Sequence, residues 1–325
     1  MPLQSHPKTR LFFEAGSLSQ MTAWYEEGRN VMWMMLHASP RPCFSETLLR
    51  EISQLAKAAK TSGLPIDFWV TGSTVPNFFN VGGDLSLFAK HIRNGALFEL
   101  SCYAHLCIDA VYYALSGFDV GAVTISMIEG TALGGGLEAA LAHEFVIAQR
   151  DVKMGFPEIA FNLYPGMGAF SIVARKVSPR LAEELISSGA SHTAEWFHES
   201  GLVDRLFNAG EGYQTVRTFV DEIRPKLVGI RGMLRARRRV AGISKEELLA
   251  ITDDWVESAF EIGEKDLAIM ERLVMLQNKR PVTQLYAVTP PPLSQVETSA
   301  TTEPSTAFSR QAVISSSYIP SGDEA

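Results

Sequence analysis

GTALGGGLEAALAHEFVIAQRDVKMGFPEIAF, from Gly130 to Phe161, decides the reading of this 325-residue chain. The stretch carries a triple glycine at Gly134, Gly135 and Gly136, then an Ala-rich helical pattern that opens with Glu138, and it reaches Glu158 twenty residues later. Three glycines between an apolar strand and a helix let backbone approach a ligand closely, and the free N–H groups at such a helix start suit a developing negative charge. Two carboxylates in apolar company are what general acid–base chemistry beside a stabilised oxyanion requires. Taken singly, either glutamate also reads as a helix-terminus charge or a structural salt-bridge partner.

Outward from this segment, strand, glycine turn and helix repeat. Asn30–Ala38 reads as a strand, and Ser45 opens a helix with a capping-box-like start. Ile66–Gly72 is a second strand, followed by a turn at Gly82 and Gly83 and by one long helical pattern from Leu85 to Leu115, with Asp84 as its cap. Ala122–Ile128 is a further strand, and the Glu138 helix follows it directly. The repetition predicts a stacked α/β core. The two glycine turns both follow apolar strands, so their N–H groups can converge on one oxygen; for Gly82 and Gly83 alone, plain turn chemistry is the alternative.

From Pro179 to Arg280 strand signal nearly vanishes and amphipathic helices dominate, including Lys245–Phe260 and Glu264–Gln277. The last 45 residues hold six Pro, eight Ser and six Thr with few large apolar groups, the composition of a disordered tail. The expected division is a catalytic core over residues 20–208, a helical region over 209–280 that covers substrate and serves oligomerisation, and the tail over 281–325.

A composition of 46% hydrophobic and 20% charged residues is that of a globular enzyme, and the net charge of -7 excludes a general nucleic-acid surface. The one dense basic cluster, Arg231–Arg239, reads either as a solvated helix face or as a contact for an acidic carrier protein or coenzyme phosphate. Cys43, Cys102 and Cys107 make no disulfide or zinc framework and read as reduced cytoplasmic thiols. The N-terminal residues lack a signal-peptide pattern and no uncharged apolar run reaches spanning length, so neither secretion nor membrane insertion is expected. His143 and His198 each precede a Glu, but Ile147 and Leu202 stand where a zinc helix would need its second histidine. There is no nucleophile elbow and no phosphate loop. His105 lies on a helix read as buried, where it is taken as a satisfied core side chain.

The order Gly-x-Ala-Leu-Gly-Gly-Gly-x-Glu, Pro-Glu-Ile and Pro-Gly-Met-Gly resembles the crotonase, or enoyl-CoA hydratase, superfamily over roughly Val31 to Phe207. The resemblance implies a stacked ββα superhelix core with a helical C-terminal region, catalytic Glu138 and Glu158, and an oxyanion hole made by the backbone N–H groups of Gly83 and Gly135. A narrower likeness runs through Pro42–Ser45, Phe79–Phe88, Ala132–Ala140, Tyr164–Ala169, Gly201–Arg205 and Ile251–Val256. In that order these segments resemble the diffusible-signal-factor synthases of bacterial quorum sensing. That likeness implies dehydration of a 3-hydroxyacyl thioester on acyl carrier protein to a cis-2-enoyl thioester, then hydrolysis to the free fatty acid, with no cofactor beyond the carrier, acyl carrier protein or coenzyme A. It also implies a sensor histidine kinase as partner and a homotrimer or dimer of trimers. Met167, Trp255 and Leu273 fall at pocket positions by motif, with core packing as the equal alternative. An ordinary hydratase or isomerase and a catalytically silent partner-binding scaffold remain as rival readings.

Overall fold

The computed structural model describes residues 9–13 and 17–278, all within one contact unit. The expected tail, 281–325, lies outside the described residues. The strands are β1 (Thr9–Leu11), β2 (Met21–Glu26), β3 (Val31–Leu36), β4 (Phe68–Ser73), β5 (Phe78–Asn80), β6 (Val123–Ile128), β7 (Thr131–Leu133), β8 (Phe145–Gln149), β9 (Lys153–Gly155), β10 (Ser191–Thr193) and β11 (Arg205–Phe207). The helices are α1 (Glu46–Thr61), α2 (Leu85–Arg93), α3 (Leu97–Ser116), α4 (Gly135–Leu141), α5 (Ala169–Lys176), α6 (Pro179–Ser188), α7 (Ala194–Glu199), α8 (Gly212–Ile223), α9 (Leu227–Ala241), α10 (Lys245–Ala259) and α11 (Glu264–Asn278).

β3, β4 and β6 are apolar-rich runs buried on both faces, as central strands of a covered parallel sheet must be. They sit in a seven-stranded sheet of order β1-β2-β3-β4-β6-β8-β11, parallel from β3 onward. A second, four-stranded sheet has the order β10-β9-β7-β5. The chain alternates between them: β4 then β5, β6 then β7, β8 then β9, each first strand in the large sheet and each second in the small one, with helical turns following. This is a stacked ββα spiral.

The spiral places the site. β5, β7 and β9 run parallel and adjacent, so the segments leaving their C-terminal ends emerge side by side. Those segments are the Gly82–Gly83 turn, the Gly134–Gly135 turn and the 3-10 turn Pro157–Phe161 that bears Glu158.

Helix starts follow the sequence. Ser45 accepts from the Leu48 N–H at 3.1 Å, and Asp84 caps α2 by accepting from Ser86 and Leu87. Four expectations need correction. The single helix over Leu85–Leu115 is two, broken at Asn94–Ala96, where Gly95 takes φ 64 and ends α2 in a left-handed conformation. The short strand β7 intervenes between β6 and the Glu138 helix, and β10 and β11 interrupt the helical region after Pro179. His105 is not in the core. Its side chain is 42% exposed and pairs with Asp253 at 2.7 Å, on the face where α3 meets α10.

Part of the arginine cluster anchors α9. Arg231 binds Asp67 at 2.9 Å, and Arg237 and Arg238 both pair with the buried Glu144. α10 packs along α3, and α11 lies against α2 and the 3-10 turn. The fit of α10 is tight: a Cβ at Gly166 would lie 2.5 Å from the Trp255 ring, and one at Gly168 2.5 Å from Leu248. Gly166→Ala is therefore expected to push α10 outward and cost about 1–3 kcal/mol, the scale of core overpacking, read as a lowered midpoint in urea unfolding.

Candidate active site

The first turn is fixed at three points. The Gly82 N–H donates to Asn80 Oδ1 at 2.7 Å, and the Gly82 carbonyl accepts from the Phe44 N–H at 2.8 Å. In a trans peptide the next N–H points opposite to that carbonyl, so Gly83 N–H faces away from Phe44. The third point is Tyr103, a buried side chain that the sequence did not single out. Its hydroxyl accepts from the Asp84 N–H at 3.0 Å and donates to the Phe44 carbonyl. Both neighbours of Gly83 are thus tied to Phe44, one directly and one through a phenol.

The second turn meets the first through backbone. Gly134 takes φ 53 and ψ -131, and its carbonyl accepts from the Leu137 and Glu138 N–H groups, which aims Gly135 N–H out of the start of α4. A Cβ on Gly82 would lie 2.8 Å from the Gly135 nitrogen, and one on Gly135 would lie 3.6 Å from the Gly83 nitrogen and 2.5 Å from Met167 Sδ. Among the described residues, neither the Gly83 nor the Gly135 N–H has a protein acceptor. Two open donors therefore share one small space.

The two carboxyls stand on opposite terms. Glu138 is buried on the first turn of α4, and its Oε1 accepts from the Met167 and Ala169 N–H groups at 2.8 Å each. These donors come from the Tyr164–Ala169 loop, where Gly168 at φ 107 turns the chain into α5. Burial lifts the Glu138 carboxyl to about 7, and the two backbone donors restrain the rise. Glu158 shows part of its surface to solvent but buries its carboxyl: Oε2 is enclosed without a hydrogen-bond partner, and Oε1 lies directly over Gly134. Burial first, and then the neighbouring Glu138 charge, push Glu158 well above the usual carboxyl range. The pair favours one shared proton, with Glu158 the stronger holder.

Both carboxyls and both glycines line a cavity of about 250 Å³. Met167, Trp255 and Leu273 line it too, so every site residue read from the sequence faces this one space. Phe88 adds a wall the sequence did not disclose, its ring against Gly83 and edge-on to Trp255 at 5.0 Å. Cys107 also lines the cavity, its thiol pushed up to about 12 by burial. Tyr103 and Phe88 sit at ordinary core spacing on helices, and nothing in such a pattern marks a side chain that holds a glycine turn in place. Among the described residues no cluster of three or more ligand-type side chains could hold a metal, and no helix is long and apolar enough to cross a membrane.

The family model for enoyl-CoA hydratase/isomerase matches residues 26–236. The chain belongs to the enoyl-CoA hydratase/isomerase family. It is similar to a probable mitochondrial enoyl-CoA hydratase 2 of Arabidopsis thaliana, 32% identical over 155 residues that make up 47% of this chain and 49% of that protein. The chain spans about half the length of the curated relatives it matches, or less. An enoyl-CoA hydratase/isomerase from Xanthobacter autotrophicus Py2 superposes with a TM-score of 0.67 at 19% identity, over 81% of this chain and 96% of that one. DspI of Pseudomonas aeruginosa superposes at 0.59 and 24% identity, over 82% and 100%. At these identities the two structures establish the shared fold.

Within this family fold, Tyr103→Phe keeps the ring and removes only the tie between Phe44 and Asp84. With the Asp84 N–H and the Phe44 carbonyl left unpaired in the core, the midpoint of urea unfolding is expected to fall by the equivalent of about 1–3 kcal/mol. A second expectation concerns pH. Between the ordinary carboxyl value near 4.5 and its raised folded value, native Glu158 keeps a proton that the unfolded chain releases, so stability falls as pH rises through that window. Glu158→Gln removes this loss and should be more stable than wild type at pH 8 by about 1–3 kcal/mol, the cost of an unsatisfied buried group, with the gap closing near pH 4 in paired urea titrations.

Proposed function

We propose that the protein dehydrates a medium-chain 3-hydroxyacyl thioester on acyl carrier protein and hydrolyses the resulting cis-2-enoyl thioester in the same site, releasing a free fatty acid of the diffusible-signal-factor kind. The observation that carries this reading is the facing of two unequal, buried carboxyls and two open glycine N–H groups on one apolar cavity. With the thioester oxygen between Gly83 and Gly135, loss of the α proton gives an enolate whose charge the two N–H groups hold, each donor worth about 3 kcal/mol in comparable sites. One carboxyl takes that proton while the other protonates the departing hydroxyl. The tetrahedral oxyanion of thioester hydrolysis fits the same hole. The motif order that resembles the synthases from Pro42 to Val256 supports the hydrolytic step and the carrier.

Residues 20–208 supply the chemistry in this reading, and 209–280 cover the tail. A homotrimer or a pair of trimers belongs to this reading through the family resemblance alone. A sensor kinase partner and a cytoplasmic setting belong to the same proposal. The names of the relatives favour a second reading, reversible hydration of an enoyl-CoA without hydrolysis.

Mass spectrometry of products from a ladder of 3-hydroxyacyl carrier-protein and coenzyme A thioesters separates the two. Free cis-2-enoic acid is expected; only an enoyl thioester, on every carrier, establishes the hydratase instead. Glu138→Gln and Glu158→Gln should each lower dehydration by about 10²–10⁴-fold with the fold intact. Gly135→Val should suppress both steps, because its side chain collides with Met167 and displaces the donor. The rate should rise with pH through about 7 as Glu138 ionises and fall at higher pH as Glu158 loses its proton.

A further inference from the structure

The walls of the cavity divide into a rim and a closed end. Ala160 is exposed and Leu85, Ile269, Leu273 and Gln277 are partly so, whereas Tyr103, Ala104, Cys107, Thr252 and Trp255 are buried. A carrier too large to enter stays at the rim, and an apolar tail gains most by running to the closed end, about fourfold in binding for each methylene buried. That end is a recess cut into α3. Leu100, Ala104, Cys107 and Val111 recur at helical spacing along the buried face of this helix. The outer two are large and pack in the core, and the inner two are small; among the described residues the cavity meets α3 only at Ala104, Cys107 and the neighbouring Tyr103. Thr252 and Trp255, three apart on α10, close the recess from the facing helix.

The recess offers little to a polar group. The Tyr103 hydroxyl is shared between the Asp84 N–H and the Phe44 carbonyl, and the Thr252 hydroxyl donates to the Gly166 carbonyl at 2.7 Å. Burial keeps the Cys107 thiol neutral. Among the described residues no Arg, Lys or His lines any part of the cavity, and the two carboxyls that do line it would repel an anion. A chain ending in a carboxylate would bury that charge without a partner wherever its end lay.

We propose, resting on the acyl-thioester reading above but on neither its carrier nor its hydrolytic step, that Ala104 and Cys107 are the stop for the acyl tail, so that the volume at Cys107 sets the longest chain accepted and the cavity selects tails that end in plain alkyl. A larger side chain at Cys107 fills the recess and takes the seat of the last carbons, and a smaller one deepens it. Shorter chains end before the stop and feel either change less.

The test measures kcat/KM of the full-length protein on straight-chain 3-hydroxyacyl and 2-enoyl thioesters of graded length, following the enoyl absorbance. Cys107→Leu should lower the ratio of longest-chain to shortest-chain kcat/KM about tenfold or more, the loss of roughly two seated methylenes, and Cys107→Ala should raise it. A tail of equal length ending in a carboxylate should be poorer than its alkyl counterpart by about 100-fold or more. Equal losses at every length would place Cys107 beside the reacting atoms and overturn the inference, as would equal rates for the two tail ends. If urea titration shows Cys107→Leu unfolding early, Cys107→Ala carries the length test. A second readout needs no turnover: in Cys102→Ser protein, alkylation of Cys107 by iodoacetamide, followed by peptide mass spectrometry, should be blocked by acyl-CoA thioesters only above a threshold chain length. If no thioester is turned over, the wider reading falls and this protection decides alone; protection by every length, or by none, overturns the inference.

Discussion

The contact between two glycine turns is the constraint on which the rest of the structure depends. Parallel neighbouring strands in the small sheet stand about 4.8 Å apart, so turns leaving their ends must pack at backbone distance. A side chain on Gly82 would strike the Gly135 nitrogen, and one on Gly135 would strike Met167. With no Cβ at either place, the two free N–H groups share one space. Phe44, Asn80 and Tyr103 hold the first turn, and the hydrogen bonds that start α4 hold the second.

Around that contact the electrostatics are uneven by construction. The same Tyr164–Ala169 loop that begins α5 delivers two N–H groups to Glu138, while the 3-10 turn that bears Glu158 delivers none to Oε2. An enclosed carboxyl without a donor costs stability whenever it is ionised. The fold carries that cost on a short turn rather than inside a long helix, and holds there a carboxyl whose proton affinity burial raises well above the ordinary range.

Much of this was legible in the sequence because the chemistry demands residue types with little other use. A triple glycine before an Ala-rich helix, and Glu158 in apolar company, announce close backbone and buried charge. Tyr103 was not legible, because its phenol acts through backbone groups of Phe44 and Asp84 that only the fold brings together. The break at Gly95 hid inside a continuous apolar pattern, since one glycine in a helical run is weak evidence against it. β10 and β11 are three residues each, too short for alternation to register. His105 read as core because α3 is apolar along most of its length, yet its own position faces Asp253. The arginines of α9 illustrate the same limit: a charge run gives no sign that Asp67 and Glu144 wait for three of its members.

The family match ends at residue 236, inside α9. Both carboxyls and both glycine turns lie before that point, whereas Thr252, Trp255, Ile269, Leu273 and Gln277 on the cavity wall lie beyond it. On the proposed reading, the reacting end of the site is built from the shared part of the chain and the end facing an acyl tail from α10 and α11. These helices reach the shared core through tight contacts, Trp255 on Gly166 and Leu248 on Gly168, and the Arg93 pairs with Glu264 and Glu271 join α11 to α2. Because Gly166 and Gly168 flank Met167, whose N–H holds Glu138, the wall that α10 supplies bears directly on the loop that hydrogen-bonds the Glu138 carboxyl. The far wall of the cavity and the hydrogen bonds to Glu138 are, in this fold, two sides of one short segment.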